Sequence, residues 1–186
     1  MRINSGILKG KSIAVAKNTK IRPTSSLLKK RIFDMLAGEI EGSLFLDICA
    51  GTGLVGIEAL SRGAAHCTFI ESSFSTVKEL SKNLERLHIE NRAKVFCMDA
   101  RLALKKLAKE KATFDFIYLD PPYPLKELSL ELLTFLDTHP LLTKKGLLFF
   151  EEGKDFSVDI EKQSFHHLCI QHSRPNGAAI LHTLSL

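Results

Sequence analysis

Short apolar runs alternate with amphipathic stretches along most of this chain, and this alternation limits the folds that it can adopt. Runs typical of buried strands occur at residues 44–48, 67–71, 94–97, 114–119 and 147–150. Between them lie stretches with helical spacing of apolar residues, at 54–62, after Ser73, at 102–108 and at 125–136. Such alternation predicts βαβ units with right-handed crossovers and a parallel sheet covered on both faces.

The two ends of the chain depart from this pattern. Residues 167–171 and 179–184 are predicted as strands joined by a turn at 174–177, Arg-Pro-Asn-Gly, which indicates an antiparallel edge hairpin. Residues 1–16 predict a short hairpin, and residues 25–36 a helix. The predicted fold class is α/β: a Rossmann-like, seven-stranded, mostly parallel sheet with an antiparallel edge hairpin and a small N-terminal hairpin and helix extension.

Length and charge bound the domain organisation. The 186 residues suit one main domain over 41–186 with a basic extension over 1–40. Residues 1–31 contain Lys and Arg but no Asp or Glu, within a chain of net charge +5. This segment either contacts nucleic-acid phosphates, which we expect to be RNA, or forms a solvated face.

Targeting and metal-binding signals are missing from the sequence. There is no signal-peptide core, and no apolar run approaches the roughly 20 residues of a membrane span, so we expect a cytoplasmic protein without membrane contact. The four cysteines lack zinc-like spacing, so we expect no metal. Nothing in the sequence requires more than a monomer.

A glycine-rich loop joins the first core strand to its helix. Gly51, Gly53 and Gly56 form a G-x-G-x-x-G pattern, and Glu71 ends the next strand 20 positions after Gly51. The pattern is typical of dinucleotide sites, where the acid binds ribose hydroxyls. Asp47 disfavours NAD because its carboxylate would repel a pyrophosphate, whereas the cationic amino-acid part of S-adenosylmethionine would tolerate it. Asp-x-x-x-Gly-x-Gly resembles motif I of the class I S-adenosylmethionine-dependent methyltransferases.

Asp99, which follows the third strand, has two compatible interpretations. It could cap the next helix, and in class I methyltransferases an acid at this point reaches the exocyclic amine of the cofactor's adenine. The residues predicted to bind S-adenosylmethionine are Asp47, Ala50, Gly51, Thr52, Gly53, Gly56, Glu71, Ser72, Asp99, Ala100 and Asp120.

The fourth strand ends in Asp120, Pro121, Pro122 and Tyr123, at the edge where open α/β sheets bind ligands. Consecutive prolines cannot continue a central strand, and they stiffen the loop, although a plain surface turn would also fit. The quartet resembles the Asp/Asn-Pro-Pro-Tyr/Phe motif of amino-group methyltransferases, so we predict these four as catalytic residues. Asp120 and the Pro121 carbonyl would accept hydrogen bonds from an aromatic NH₂ group and orient its lone pair, while Tyr123 would stack on the base.

Two further motifs accompany this quartet. Residues 21–24 are Ile-Arg-Pro-Thr, and residues 58–64 are Glu-Ala-Leu-Ser-Arg-Gly-Ala. Together the motifs resemble the bacterial 16S rRNA guanine-N2 methyltransferases of the RsmD type. The resemblance implies methyl transfer to the exocyclic N2 amine of a guanine, position 966 in the usual numbering, in 16S rRNA of the small ribosomal subunit or its assembly intermediate. It also implies substrate binding by Arg22 and Thr24, and the predicted substrate-binding set is Lys9, Lys11, Arg22, Thr24 and Tyr123.

Other functions remain open at this point. A DNA adenine-N6 or cytosine-N4 methyltransferase shares the catalytic motif, but it usually needs a target-recognition region for which 186 residues leave little room. A protein glutamine methyltransferase would normally carry Asn in place of Asp120. A catalytically silent RNA-binding assembly factor could use the same fold, but it would not need Asp47, Glu71, Asp99 and Asp120 together.

Overall fold

A computed structural model describes residues 1–15, 26–123, 125–139 and 141–186. The helices are α1 (Ser26–Met35), α2 (Leu54–Ser61), α3 (Phe74–Leu87), α4 (Ala100–Lys109) and α5 (Lys126–Thr138). The strands are β1 (Leu44–Ile48), β2 (His66–Glu71), β3 (Ala93–Cys97), β4 (Phe114–Leu119), β5 (Leu142–Gly153), β6 (Cys169–Asn176) and β7 (Ala179–Ser185). None of the helices in these ranges is long and apolar enough to cross a membrane.

Within the described residues, the strands form one seven-stranded sheet in the order β3-β2-β1-β4-β5-β7-β6. β1 to β5 are parallel, whereas β7 is antiparallel to both β5 and β6. This topology confirms the predicted α/β class with an antiparallel edge hairpin. The strand order reverses between β1 and β4, which is the position where sheets of this kind bind ligands.

The closing hairpin turns later than its sequence predicts. Arg174 and Pro175 belong to β6, where they pair with Leu181 and Ile180, so the prediction of a turn over 174–177 is wrong in its first half. The chain reverses at Gly177, whose φ of +63° is favourable only for glycine. Pro175 is tolerated because β6 is an edge strand, where a missing N–H group breaks no internal ladder.

β5 is also longer than its apolar run. It starts at Leu142 rather than at residue 147, and its register with β4 shifts between Phe114 and Phe116. The first half of β5 contains Lys144, Lys145 and Gly146, whose types are depleted in strands. Pairing with β4 therefore overrides the weak preference of these residues against a strand.

Two apolar clusters cover the faces of the sheet. On one face, Phe45, Phe69 and Phe149 pack with buried residues of α1, α2, α3 and the N-terminal segment. On the other face, Leu46 and Phe150 pack with buried residues of α4 and α5. Adjacent residues such as Phe45 and Leu46 face opposite clusters because side chains alternate along a strand.

Residues 1–15 pack into the first cluster through buried Ile3, Leu8 and Ile13. An antiparallel bridge joins residues 2 and 12, in agreement with the predicted hairpin. Buried Glu58 of α2 accepts a hydrogen bond from the Asn4 amide at 2.8 Å. The N-terminal segment and the sheet thus share one core, and the division of the chain at residue 40 stays a prediction.

Candidate active site

A cavity of about 680 Å³ opens at the carboxyl edge of the parallel strands. Its walls come from the loop after β1, the end of β2, the start of α4 and the loop after β4. The lining includes most of the residues predicted from the sequence: Ala50, Gly51, Thr52, Glu71, Ser72, Asp99, Ala100, Asp120, Pro121, Pro122 and Tyr123. The fold therefore brings the two main motifs to one site.

The glycine loop owes its shape to close packing of the start of α2 against the sheet and α3. Gly53 has a φ of +72°, and a Cβ atom there would come within 2.3 Å of the Leu80 side chain. A Cβ atom at Gly56 would come within 2.3 Å of the Phe69 ring. Neither glycine lines the cavity. They bring the start of α2 close to the sheet, which leaves the loop backbone at the cavity wall.

Asp47 lies beneath this loop and outside the cavity lining. Its side chain is 1% exposed, and its Oδ2 atom accepts a hydrogen bond from the Gly56 amide at 2.9 Å. Its Oδ1 atom is buried and has no hydrogen-bond partner among the residues that the structure describes. Burial raises the pKa of this carboxyl group to about 7, with a smaller contribution from Glu71, while the Gly56 hydrogen bond opposes the rise.

Glu71 is held in place by backbone amides. Its Oε2 atom accepts a hydrogen bond from the Gly51 amide at 2.9 Å, and its Oε1 atom accepts one from the Ser73 amide at 2.8 Å. Ser73 itself caps α3, as its sequence position predicts. Each carboxylate oxygen can accept more than one hydrogen bond, so a rigidly placed Glu71 can still bind ligand hydroxyls.

Asp99 caps α4 by accepting a hydrogen bond from the Arg101 amide at 2.9 Å, which confirms the capping interpretation. The Arg101 guanidinium also contacts both carboxylate oxygens, at 2.9 and 2.8 Å. This side-chain pairing holds the pKa of Asp99 below its usual range. Asp99 is therefore ionised and is a hydrogen-bond acceptor at the cavity wall.

The loop after β4 begins with a link to the central strand. The Asp120 amide donates a hydrogen bond to the Ile48 carbonyl at 3.3 Å, which continues the pairing of β4 with β1. The Leu125 amide donates to the Pro122 carbonyl at 3.0 Å and closes a turn around the motif. The four predicted catalytic residues therefore lie on a loop anchored at both ends.

Sequence reasoning missed Glu151, which is 1% exposed at the end of β5. Its two carboxyl oxygens accept hydrogen bonds from the Tyr118 and Tyr123 hydroxyl groups. An acidic residue directly after the apolar run of β5 was the only local signal. Its importance depends on pairing between β4 and β5, which the local sequence does not specify.

Comparison with known proteins identifies the family. The family model described as "Conserved hypothetical protein 95" matches residues 1–183. Ribosomal RNA small subunit methyltransferase D of Escherichia coli (strain K12) is 32% identical over 151 residues, which cover 81% of this chain and 74% of the relative. The chain belongs to the RsmD-type family of rRNA methyltransferases.

Two further comparisons agree with this assignment. A Bacillus subtilis (strain 168) protein named as a candidate rRNA methyltransferase, YlbH, is 38% identical over 158 residues, 85% of each chain. A structure from Escherichia coli described as a candidate methyltransferase, yhhF, superimposes with a TM-score of 0.85 at 26% identity, covering 99% of this chain and 96% of that one. The described residues of this RsmD-type protein thus have the Rossmann-like fold of that methyltransferase structure.

The structure describes three of the predicted substrate-binding residues of this RsmD-type protein, Lys9, Lys11 and Tyr123. Tyr123 lines the cavity, whereas Arg22 and Thr24 lie outside the described residues. Lys9 and Lys11 are exposed on the N-terminal hairpin, whose tip packs on the C-terminal end of α2. The N-terminal end of the same helix faces the cavity, about 12 Å away at 1.5 Å per residue.

The buried carboxyl group of Asp47 predicts a pH-dependent stability. Its pKa rises from about 3.9 in an unfolded chain to about 7 in the RsmD-type fold. The stabilisation from the protonated group is complete below about pH 4 and is lost as the pH rises towards 7. Asp47→Asn has no such proton, so the excess stability of the wild type over the variant should fall by about 4 kcal/mol across this range. Urea unfolding at several pH values measures this difference, and parallel curves for the two proteins would contradict the assignment.

Proposed function

We propose that this RsmD-type enzyme transfers a methyl group from S-adenosylmethionine to the exocyclic N2 amine of a guanine in 16S rRNA of the small ribosomal subunit. One observation carries the proposal. The Asp-Pro-Pro-Tyr loop shares a single cavity with Glu71 and Asp99, so an acceptor base and a nucleoside cofactor could meet there. The volume of about 680 Å³ lies in the range of cofactor sites.

The charges of the site fit S-adenosylmethionine better than a dinucleotide. Glu71, Asp99 and Asp120 all line the cavity, and a pyrophosphate would be repelled by them. The Oδ1 atom of Asp47, just beneath the loop, has no hydrogen-bond partner among the described residues, and this favours a ligand with a positively charged group nearby. In this proposal Glu71 binds the ribose hydroxyls and Asp99 the adenine amine. When bound, this cofactor supplies an electrophilic methyl group.

The acceptor loop would activate a weak nucleophile. The lone pair of guanine N2 is delocalised into the ring, so the NH₂ group must be oriented before it can attack. The Asp120 carboxylate and the Pro121 carbonyl would each accept one hydrogen bond from this group, turning its lone pair towards the methyl group. The product loses its extra proton to water or to Asp120.

Tyr123 would hold the base itself. A base inside an RNA helix cannot reach a cavity of this kind, so it has to leave its stack. Stacking on an aromatic side chain compensates part of that cost, with about 1–3 kcal/mol for each base. Tyr123 lies on the same loop as Asp120, so stacking would bring the amine to the acceptor atoms.

Basic residues surround the turn between β6 and β7, next to this loop. Arg31 donates a hydrogen bond to the Pro175 carbonyl at 2.8 Å, and the Lys154 amide donates to the Ala178 carbonyl at 2.9 Å. Lys154 directly follows Gly153, whose Cα packs against the Tyr123 ring. We propose that RNA phosphates bind here, through the exposed side chains of Lys30, Lys154 and Arg174.

Asp120→Ala tests the proposed chemistry. The variant should bind S-adenosylmethionine nearly as well as the wild type, because the cofactor would keep its contacts with the other acids. Methyl transfer to small ribosomal subunits should fall by roughly 100- to 1,000-fold or more, since the amine loses its orienting acceptor. Calorimetric titration measures binding, and incorporation of labelled methyl groups measures transfer. Glu85→Ala, which removes an exposed acid of α3 outside the cavity, is the control and should remain active. Normal turnover by Asp120→Ala would exclude this mechanism.

Charge reversal tests the proposed RNA surface. Lys154→Glu with Arg174→Glu should weaken RNA binding. It should also reduce the slope of log affinity against log salt by roughly 1 to 2, because fewer counterions are released on binding when phosphate contacts are lost. Filter binding at several salt concentrations measures the slope. The pair Lys9→Glu and Lys11→Glu tests the predicted contact of the N-terminal hairpin in the same way.

The control for this experiment lies at the opposite end of the sheet. Lys109, the last residue of α4, and Lys111, which follows the helix, are exposed near the start of β4. Their reversal to Glu changes the net charge equally and should leave most of the salt dependence intact. Equal losses for the control and the test pair would indicate a nonspecific charge effect and contradict a defined surface.

A further inference from the structure

The Tyr123 ring is held by contacts from outside its own loop. Its hydroxyl group donates a hydrogen bond to Oε1 of Glu151 at 2.8 Å. The ring also lies against the backbone of Gly153, where a Cβ atom would come within 2.4 Å of Cδ2. The Tyr123 side chain is therefore anchored through its hydroxyl group. One side of its ring packs against the Gly153 backbone, which any side chain at residue 153 would cover.

Glu151 is itself fixed from a second direction. The Tyr118 hydroxyl group donates a hydrogen bond to Oε2 of Glu151, whereas the Tyr123 hydroxyl group donates to Oε1. Tyr118 is paired with Phe149 across β4 and β5, so Glu151 lies two residues further on the same face of the sheet. Register between the two strands thus sets the carboxyl group between the two phenols.

If these residues served only to fill the core, apolar side chains would be more favourable than this buried polar group of residues. Glu151 and Tyr118 are both buried, and burying a carboxyl group costs free energy that apolar side chains of similar volume would not. The hydrogen bonds offset that cost, and in return they determine a single position for each hydroxyl group. The hydrogen bonds of Glu151 to the two phenols therefore define one orientation of the Tyr123 ring.

We propose that Glu151 is a positioning residue that holds the Tyr123 ring as a stacking platform for the acceptor base. Gly153 forms the floor beneath the ring, and Tyr118 keeps the carboxyl group in place. The inference rests on the methyl-transfer function proposed above, in which the base stacks on Tyr123. A fixed platform lowers the loss of side-chain freedom when the base binds, and it keeps the amine within reach of Asp120.

A double-mutant cycle tests this role. Tyr123→Phe removes the hydroxyl group, and Glu151→Met removes its acceptor at similar volume. Each change should lower kcat by roughly tenfold or more at saturating cofactor, since small displacements of a reacting group are costly. Cofactor affinity should not change. The double variant should lose little beyond either single variant, because both changes break the same interaction.

Glu152→Met is the matched control. Glu152 is also buried, but it faces the opposite side of β5, where it contacts His182 at 2.9 Å and accepts a hydrogen bond from the Val158 amide at 2.8 Å. Its loss should destabilise the protein without lowering kcat of the folded fraction. If Glu151 were only structural, Glu151→Met would behave in the same way, and its effect would add to that of Tyr123→Phe. That additive result would overturn the proposal.

Gly153→Ala tests the floor of the platform without removing a polar group. The φ of Gly153 is −76°, which alanine adopts readily, so the new Cβ atom should displace the ring rather than strain the backbone. We expect lower kcat with unchanged cofactor affinity. Wild-type kcat in this variant would overturn the proposed packing role.

Tyrosine fluorescence gives a readout that needs no substrate. The chain has no tryptophan, and Tyr118 and Tyr123 are its two tyrosines. The Tyr123 emission is the difference between a protein that contains this tyrosine and the matching Tyr123→Phe variant, which keeps Tyr118 as a partner of Glu151, and an acceptor carboxylate at the Tyr123 hydroxyl group quenches this emission. Adding Glu151→Met should therefore raise the emission, and unchanged emission would overturn the contact.

Failure of the wild type to methylate RNA would overturn the proposed function together with the positioning role, whereas an additive cycle in an active enzyme would overturn the positioning role alone.

Discussion

Parallel pairing of β1 with both of its neighbours determines where the active site lies. Ile48, at the end of β1, pairs with Ile70 of β2 on one side and with Leu119 of β4 on the other. The ladder continues into the loops, because the Ala50 amide donates to the Ile70 carbonyl and the Asp120 amide to the Ile48 carbonyl. The cofactor loop and the acceptor loop therefore leave the sheet at the same edge, a few ångströms apart in strand spacing.

The second requirement is a close approach of α2 to the sheet. Gly56 makes this possible because any side chain there would collide with Phe69, and its amide donates to Asp47. The resulting burial of Asp47 has an electrostatic cost, seen as a raised pKa. In the proposed function, a cationic ligand above the loop would offset that cost. Stability and ligand binding would then be coupled through one buried carboxyl group.

Much of this architecture could be predicted from the sequence, because strong local signals coincide with the elements that form. The apolar run of β4 and the capping serine of α3 are where expected. The start of β5 and the first half of the turn predicted over 174–177 were mispredicted because sheet pairing, rather than local preference, decides them. Glu151 was missed for the same reason: its partners are Tyr118 on the neighbouring strand and Tyr123 beyond it, and only register brings them together.

The central claim, guanine-N2 methylation of small-subunit RNA, is tested most directly by identifying the methylated nucleoside. Unmodified small subunits, free 16S rRNA and duplex DNA would be offered side by side with S-adenosylmethionine carrying a labelled methyl group. Mass spectrometry of the digested products would then identify the labelled nucleoside. We expect label in N2-methylguanosine from ribosomal RNA. Label in N6-methyladenosine or N4-methylcytosine from DNA, or no label in any substrate, would contradict it.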